Sequence, residues 1–347
     1  GVHKYLGLLQ KSLRGFGIDV NILLDIVTKV DVERFYGFCG VIYGDLYWRR
    51  SSKKEVERTV KRVILELRPN IVHVVNGSLR SNLYVREFLL EESIPFSVTE
   101  QYVGRDTKLN CEILERIRRC QRNSVLTIFV SEVNRRLAHK KFSFSGRSKV
   151  VYNAPLFLGD AECKTIRNPS VRAFSAVRCE PEKGIDVLIS SLSICSASSQ
   201  FGVRIFGDGS KRAEYEQLAS RLGLSSNSFS IHGWVNDLDM KLLRREYGLF
   251  ILASRDEGMS FALVEAAGSG FPVMISDAPA NREFNELTGC GILFSQQSSE
   301  SLAKRLEEFL SDPSSHHEYA ISCLEEVHRI FSHQKMARGL LEIYGIS

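Results

Sequence analysis

The sequence lacks any run of apolar residues that approaches the roughly 18 residues of a membrane-spanning helix. Its longest apolar stretches, such as YGLFILAS at 247–254, have the length of a buried strand. The eight cysteines form no C-x-x-C pair, which favours scattered reduced thiols in a cytosolic protein. No secretory signal, short-period repeat or low-complexity tract is visible, so we predict a cytoplasmic globular protein.

Signals for cofactors and metals are also missing. GDGSKR at 207–212 is not the full G-x-G-x-x-G fingerprint, so binding of NAD is disfavoured. DLD at 237–239 could be taken for a metal-binding D-x-D, but it precedes the helical pattern MKLLRREYG and is better interpreted as a helix cap. The histidines near the C-terminus show no zinc spacing with a carboxylate. We therefore expect neither a metal nor a cofactor.

Length and charge indicate two domains with different partners. A chain of 347 residues with 44% hydrophobic and 25% charged residues suits a soluble protein with two cores. Residues 1–158 hold 27 Lys+Arg and 16 Asp+Glu, a charge of +11, and the remainder holds 19 and 25, a charge of −6; together they give the net +5. The basic half suggests an anionic partner, namely nucleic acid, an acidic lipid surface or a phosphate-bearing acceptor. For any single basic run, a solvated helix face is the simpler interpretation.

Short β-branched runs alternate with helical patterns along nearly the whole chain, which predicts parallel sheets with crossover helices. The predicted strands lie at 18–24, 71–75, 95–99, 126–130, 149–152, 171–177, 202–206, 229–232, 248–252, 272–276 and 291–294. The predicted helices lie at 3–13, 53–67, 80–91, 109–121, 131–140, 183–193, 211–222, 237–245, 261–267, 300–310 and 315–330. The stretch 153–170, with two prolines and a glycine, interrupts this alternation and is interpreted as a linker.

The stretch RDEGMSFALVEAAGSGFPV at 255–273 holds the chemistry. It follows a buried strand, and a helix is predicted to begin near Ser260, where free N–H groups and the helix dipole favour a phosphate. Gly258 lets the backbone approach a ligand closely. Glu257 and Glu265 flank this anion site, and carboxylates there would accept hydrogen bonds from hydroxyls. Hydroxyls on both sides of a diphosphate describe a nucleotide-sugar, whereas an isolated E-x7-E more often marks two solvated helix-face glutamates.

These residues occur in a context that resembles the retaining glycosyltransferases of family 4, which adopt the GT-B fold of two Rossmann-like domains facing a cleft. FSAVRCEPEKGIDVLISSL resembles the Arg-x4-Lys-Gly segment of the family, with Arg178, Lys183 and Gly184 at the matching positions. The glycine turn GDG matches at Gly207 and Gly209. Further resemblance is carried by EGMSFALVEAAGSGFPVMISD, FSIHGWV, TIFVSE, VVYNAP and the closing segment FSHQKMARGLLEIYG.

The resemblance implies a role for each matching residue. Arg178 and Lys183 would hold the donor diphosphate and act in catalysis, Glu265 would bind the ribose hydroxyls, and Glu257 would contact the transferred sugar. Retention of configuration is usually ascribed to front-side attack by the acceptor, so Glu257 is not assigned as a nucleophile. The remaining donor-binding positions implied by the family are Gly207, Gly258, Met259, Ser260 and Phe261.

The resemblance also implies domain limits and shows departures from the family. The implied units are an acceptor-binding domain at 1–157, a donor-binding domain at 158–328, and a closing helix at 329–347 that returns to the first domain. A first strand and its glycine turn are not seen: Gly1 matches the last glycine of that turn, so either a strand lies upstream or the sheet is unusual. We expect an upstream strand. Where the family often has a histidine on the sugar or acceptor side, this chain has Glu100 and Gln101.

The sequence thus predicts an enzyme that moves a sugar from a nucleoside-diphosphate donor, with a UDP-sugar favoured, to a glycan or polyprenyl-diphosphate-linked acceptor in cell-surface polysaccharide assembly. The basic half would contact the anionic inner face of the membrane, and no nucleic acid is expected. Two alternatives stay open: a nucleotide-sugar epimerase of the same fold, and an inactive glycosyltransferase-like binding protein.

Overall fold

The computed structural model describes residues 2–24, 41–43, 53–154, 172–196, 201–234 and 246–345. Contacts divide the chain into an N-terminal unit, Gly1–Ala154 with His333–Ser347, and a C-terminal unit, Pro155–Ser332. The sequence placed these boundaries after residues 157 and 328. Within the described ranges, no helix is long and apolar enough to cross a membrane.

The N-terminal unit is built from parallel strands and helices. Two strands, β1 and β2, pair with each other, and four further strands follow one another in the order β3-β4-β5-β6. The strands are β1 Ile22–Leu24, β2 Val41–Tyr43, β3 Val72–Asn76, β4 Phe96–Glu100, β5 Thr127–Phe129 and β6 Ser148–Val150. The helices of the first part of the chain are α1 Val2–Arg14, α2 Lys53–Leu67, α3 Leu83–Glu91, α4 Cys111–Asn123 and α5 Glu132–Phe142.

Strand β2 had no counterpart in the sequence prediction. It is three residues long, which is too short to establish an alternating pattern. The strand expected upstream of Gly1 stays a prediction.

The C-terminal unit has a single parallel sheet of six described strands, in the order β12-β11-β10-β7-β8-β9. These strands are β7 Ala173–Ser175, β8 Val203–Ile205, β9 Phe229–Ile231, β10 Leu249–Leu252, β11 Val273–Ser276 and β12 Ile292–Phe294. Its helices are α6 Ile185–Ile194, α7 Arg212–Arg221, α8 Phe261–Gly268, α9 Pro279–Thr288, α10 Ser299–Ser311, α11 Pro313–Ser322 and α12 Leu324–Ile330.

Two helix predictions for this unit need correction, and one cannot be judged. Helix α9 was missed because PANREFNELT is mostly polar, and its two large apolar residues, Phe284 and Leu287, are too few to show a helical period. The helix predicted at 315–330 is two helices separated at Cys323, and the first begins earlier because Asp312 caps it and Pro313 starts it. The helix predicted at 237–245 and the DLD segment lie outside the described residues.

Aromatic side chains fill the middle of the C-terminal sheet. The ring of Phe174 on β7 contacts the rings of Tyr247, Phe250 and Phe271 edge-on at centroid distances of 5.6, 5.3 and 4.9 Å. Edge-to-face pairs of this kind each add about 0.5–1.5 kcal/mol to the energy of burial. The central strands are therefore firmly packed, and the loops at their carboxyl ends start from fixed positions.

The last helix, α13 His333–Tyr344, belongs to the N-terminal unit. The hydroxyl of Tyr344 lies 2.9 Å from Ser97 Oγ on β4 and hydrogen-bonds His73 on β3. Helix α13 therefore docks on the strands of the first unit through buried polar contacts.

Candidate active site

The C-terminal sheet reverses its winding direction between β7 and β10. Strand β7 pairs with β8 on one side and with β10 on the other. Loops that leave the carboxyl ends of two such strands diverge, and ligands of open α/β sheets bind in the crevice between these loops. Arg178 and Lys183 follow β7, and Glu257 follows β10.

The two loops approach each other closely at Gly184. This residue follows a 3-10 turn at Pro181–Lys183 and has φ +64°, a backbone conformation that suits glycine. A Cβ atom at this position would lie 2.0 Å from the carbonyl oxygen of Ala253 in the loop after β10. The glycine in the Lys-Gly segment thus allows two backbones to touch beside the site.

Lys183 and Glu257 form an ion pair across the two loops. Lys183 Nζ lies 2.7 Å from Glu257 Oε1, and the two side chains are only 14% and 10% exposed. Ser254 Oγ donates to the same oxygen at 2.7 Å. Two donors on one carboxylate oxygen fix the orientation of the carboxylate, so Glu257 is presented in a defined geometry.

Ser254, which donates to Glu257, is itself held by a hydrogen bond from strand β11. Ser276 at the end of β11 donates through its hydroxyl to Ser254 O at 2.6 Å, and Asn281 Nδ2 donates to Ser276 Oγ at 3.1 Å. All three residues are buried. Sequence reasoning missed Ser276 and Asn281; the available signal was that Ser276 is a polar residue at the end of the apolar strand β11.

Arg178 is not drawn into the pair of Lys183 and Glu257. Its guanidinium donates to Glu182 at 2.9 Å, and its side chain is 64% exposed. An exposed ion pair of this kind contributes little to stability and is easily exchanged. Arg178 therefore lies in the loop after β7, with its side chain largely exposed to solvent.

The glycine turn after β8 packs against the loop after β7. A Cβ at Gly207 would lie 1.9 Å from Val177 O, and Cys179 N donates to Asp208 O at 2.9 Å. Ser210 donates from its backbone N–H and its hydroxyl to Glu180 at 2.9 and 2.7 Å. The predicted donor-binding glycine thus permits contact between two strand-end loops.

Helix α8 carries the second glutamate of the motif. Ser260 caps this helix by accepting from Leu263 N at 3.4 Å, and Met259 before it is buried. Glu265 lies in the second turn and is partly buried, and Phe261 starts the helix. The helix start predicted near Ser260 is correct, and both glutamates of the motif belong to one loop and helix.

The predicted acceptor-side residues lie in the other unit. Glu100 ends β4 and is 1% exposed; Asn76 Nδ2 donates to its Oε1 at 2.9 Å, and Arg86 Nη1 lies 3.7 Å from the same atom. Burial raises the pKa of Glu100 to about 7, although Arg86 and Asn76 act in the opposite direction. Gln101 Oε1 accepts from Asn153 at 3.1 Å. Gly1 lies outside the described residues.

Comparisons with known proteins agree with this fold. Residues 164–322 match the family model described as Glycosyl transferases group 1. Over 125 residues the chain is 28% identical to the UDP-N-acetylglucosamine–peptide N-acetylglucosaminyltransferase GtfA subunit of Streptococcus agalactiae. That match covers 34% of this chain and 24% of the relative, so the chain spans about a quarter of the curated protein's length.

Solved structures match over almost the whole chain. Sucrose-phosphate synthase from Thermosynechococcus elongatus has a TM-score of 0.79 at 15% identity, covering 99% of this chain and 97% of that one. Anabaena HepE in complex with UDP-glucose has a TM-score of 0.78 at 17% identity, covering 99% and 96%. The predicted two-domain GT-B fold is thus confirmed, and residues 164–322, which lie within the predicted donor-binding domain, are similar to glycosyl transferases of group 1.

Proposed function

We propose that this chain is a retaining glycosyltransferase that moves a sugar from a nucleoside-diphosphate donor, with a UDP-sugar favoured, to a glycan or lipid-linked glycan. The observation that carries the proposal is the pair of Lys183 and Glu257 at the crevice of the C-terminal sheet, 2.7 Å apart and largely buried. A cation and a carboxylate held side by side match a donor in which a diphosphate adjoins a hydroxyl-rich sugar.

Each residue has a role in this proposal. Lys183 binds the diphosphate and offsets the charge that develops as the nucleoside diphosphate departs, and Arg178 can turn from Glu182 to join it. Glu257 accepts hydrogen bonds from the transferred sugar. Glu265 lies about 7 Å along the helix from Ser260, at 1.5 Å per residue, and accepts from the ribose. The N-terminus of α8 faces the phosphates.

The proposal of a UDP-sugar draws support from the comparisons. The GtfA relative is named for UDP-N-acetylglucosamine, and HepE was solved with UDP-glucose. The E-x7-E spacing of Glu257 and Glu265 supports the retaining family. Glu257 is bound by Lys183 and Ser254 through the same oxygen, which suits a carboxylate that positions a hydroxyl, and we assign it no nucleophilic step.

A panel of nucleotide-sugars tests the function. Release of UDP together with a glycosylated acceptor would support transfer, an isomerised nucleotide-sugar would support the epimerase, and binding without turnover would support a binding protein. Glu265→Ala should weaken donor binding about tenfold to a hundredfold, because a hydrogen bond to a charged group contributes roughly 1.5–3 kcal/mol. Equal donor affinity in this variant and the natural chain would contradict the assignment of the ribose site.

The acceptor side is proposed for the N-terminal unit, with Glu100 and Gln101 at the carboxyl end of β4. The excess of 27 Lys+Arg over 16 Asp+Glu in residues 1–158 favours a polyprenyl-diphosphate-linked acceptor at an anionic membrane face. Binding to acidic vesicles should then fall steeply with salt, since exposed charges are screened over about 8 Å at physiological ionic strength. Equal binding to neutral and acidic vesicles would leave a soluble acceptor instead.

A further inference from the structure

Arg255 joins several strand-end loops of the C-terminal unit. Its Nη1 and Nη2 donate to the two carboxylate oxygens of Asp186 at 2.9 and 2.5 Å, and Nη1 also donates to Pro181 O at 2.5 Å. Its backbone N–H donates to Glu182 O at 2.7 Å. One residue thus contacts both peptide carbonyls that immediately precede Lys183.

Arg255 is also held from the edge of the sheet, by the loop after β12. Gln296, in the loop after β12, donates through its side-chain amide to Arg255 O. Gln296 N in turn donates to Asp277 Oδ1 at 2.7 Å in the loop after β11. Arg255 therefore links the loops that follow β7, β10, β11 and β12.

Arg255 connects the two loops that carry Lys183 and Glu257, so it can affect how these two side chains are placed. It lies two residues before Glu257 in one loop and binds the turn that ends with Lys183 in the other. A bidentate guanidinium–carboxylate pair restricts both distance and angle, which a lysine ammonium cannot do. The Asp186 hydrogen bonds also raise the pKa of Arg255, so the guanidinium remains charged at every relevant pH.

We propose that Arg255 is a positioning residue for sugar transfer: with Asp186 it clamps the turn before Lys183 to the loop of Glu257 and so sets the distance between these two side chains. The inference rests on the proposed function, because Arg255 acts only through Lys183 and Glu257. Its side chain is directed to Asp186 and Pro181, and it is given no contact with the substrate.

The first measurement concerns the loops and needs no activity. Arg255→Ala should raise the rate of backbone hydrogen exchange in residues 180–184 and 253–260. Arg329→Ala is the matched control, because Arg329 Nε donates to Glu326 Oε2 at 2.7 Å within helix α12 of the same unit. Exchange that is unchanged in Arg255→Ala, or equally raised by Arg329→Ala, would overturn the clamp.

The second measurement concerns the reaction, followed as release of UDP from UDP-glucose or UDP-N-acetylglucosamine, whichever is turned over faster. Arg255→Ala should lower kcat about tenfold to a hundredfold, since small misplacements of reacting groups cost about that much. Arg255→Lys should recover little of the lost kcat, because lysine keeps the positive charge but cannot form the bidentate pair with Asp186. Arg329→Ala should keep the natural kcat.

The decisive comparison is a double variant. If Arg255 acts through Glu257, Arg255→Ala should lower kcat much less in a Glu257→Gln background than in the natural chain. Equal losses in both backgrounds would overturn the positioning role. The proposed function fails differently: neither UDP-sugar would be turned over by the natural chain, or Glu257→Gln would leave kcat unchanged, while the exchange measurement would still report on the clamp.

Discussion

The two sheets differ in where they keep their polar side chains. In β10 all four residues, Leu249–Leu252, are apolar and buried, and the polar groups appear only after the strand ends. In β4 three of the five buried residues, Ser97, Thr99 and Glu100, are polar. The central strand of the C-terminal sheet is thus apolar, and its polar residues lie in the loop that follows it. The N-terminal sheet instead has polar contacts between its buried side chains.

The polar contacts of the N-terminal unit form a connected network. His73 Nε2 lies 2.7 Å from Thr99 Oγ1, which also lies 3.2 Å from the hydroxyl of Tyr5 on α1. His73 and Ser97 both contact Tyr344 on α13. Helices from both ends of the chain are therefore bound to the same strands by directional hydrogen bonds, which specify how a helix docks more closely than apolar contact does.

The largest expected effect tests the scaffold of the C-terminal unit. Gly184→Ala should lower the free energy of unfolding by about 3–5 kcal/mol, because the methyl group would meet Ala253 O at 2.0 Å and φ +64° disfavours alanine. Gly223→Ala is the control: φ is +73° there, and a Cβ would have no neighbour within 4 Å. It should cost about 1 kcal/mol. Urea denaturation measures both, and equal losses would mean that the loops do not need close approach.

The next largest effect concerns the buried titratable groups of the N-terminal unit. Burial raises the pKa of Glu100 from 4.5 to about 7, so its contribution to stability is complete below pH 4.5 and is lost as the pH rises to 7. Burial lowers the pKa of His73 from 6.5 to about 4, so its contribution is complete above pH 6.5 and is lost as the pH falls to 4. Each of the two contributions amounts to about 3 kcal/mol, since a tenfold change in a protonation equilibrium corresponds to 1.36 kcal/mol.

Between pH 4.5 and 6.5 these two contributions oppose each other in the natural chain. Relative to it, Glu100→Gln should gain stability as the pH rises through this range, and His73→Gln should gain stability as the pH falls. The measured quantity is the slope of unfolding free energy against pH, because Glu100→Gln also changes the contacts with Asn76 and Arg86 and so shifts the absolute value. Parallel curves for all three proteins would show that neither group titrates differently in the folded state.

A kinetic effect of similar size tests the edge of the C-terminal sheet. Glu257→Gln keeps the size of the side chain and removes its charge, so it weakens the bonds from Lys183 and Ser254. We expect kcat to fall about a hundredfold, equivalent to about 2.7 kcal/mol, if the contact with the sugar tightens in the transition state. Ser193→Ala, on the exposed side of α6, is a control that should keep kcat. A change confined to KM would mean that Glu257 binds the sugar equally in the ground state and the transition state.

The sequence predicted the C-terminal site better than the N-terminal network, and the contrast between the two sheets explains why. The strand and helix pattern places Glu257 after a buried strand, and the resemblance to the glycosyltransferase family identified Lys183. Tyr344 and His73 lie 271 positions apart, and nothing local marks them as partners. The Arg255–Asp186 pair was also missed, because only neighbouring residues of each stretch, such as Lys183 and Glu257, were assigned roles from the sequence. Side-chain pairing across loops depends on tertiary approach, which periodicity does not encode.

The smallest effect tests the docking of α13. Tyr344→Phe removes one hydroxyl that contacts Ser97 and His73, and it leaves both of these groups short of a partner inside the unit. A lost buried hydrogen bond with an unsatisfied partner costs about 1–3 kcal/mol, and we expect a value near the lower end because the ring keeps its apolar packing.

Tyr319→Phe is the matched control: the hydroxyl of Tyr319 donates to Gly289 O, and its side chain is 45% exposed, so water can replace the lost hydrogen bond. That change should cost less than about 0.5 kcal/mol. Hydrogen exchange within residues 333–344 should become faster in Tyr344→Phe and stay unchanged in Tyr319→Phe. If both variants unfold at the same urea concentration as the natural chain, apolar contact alone docks helix α13, and the polar network of the N-terminal unit does not contribute to docking.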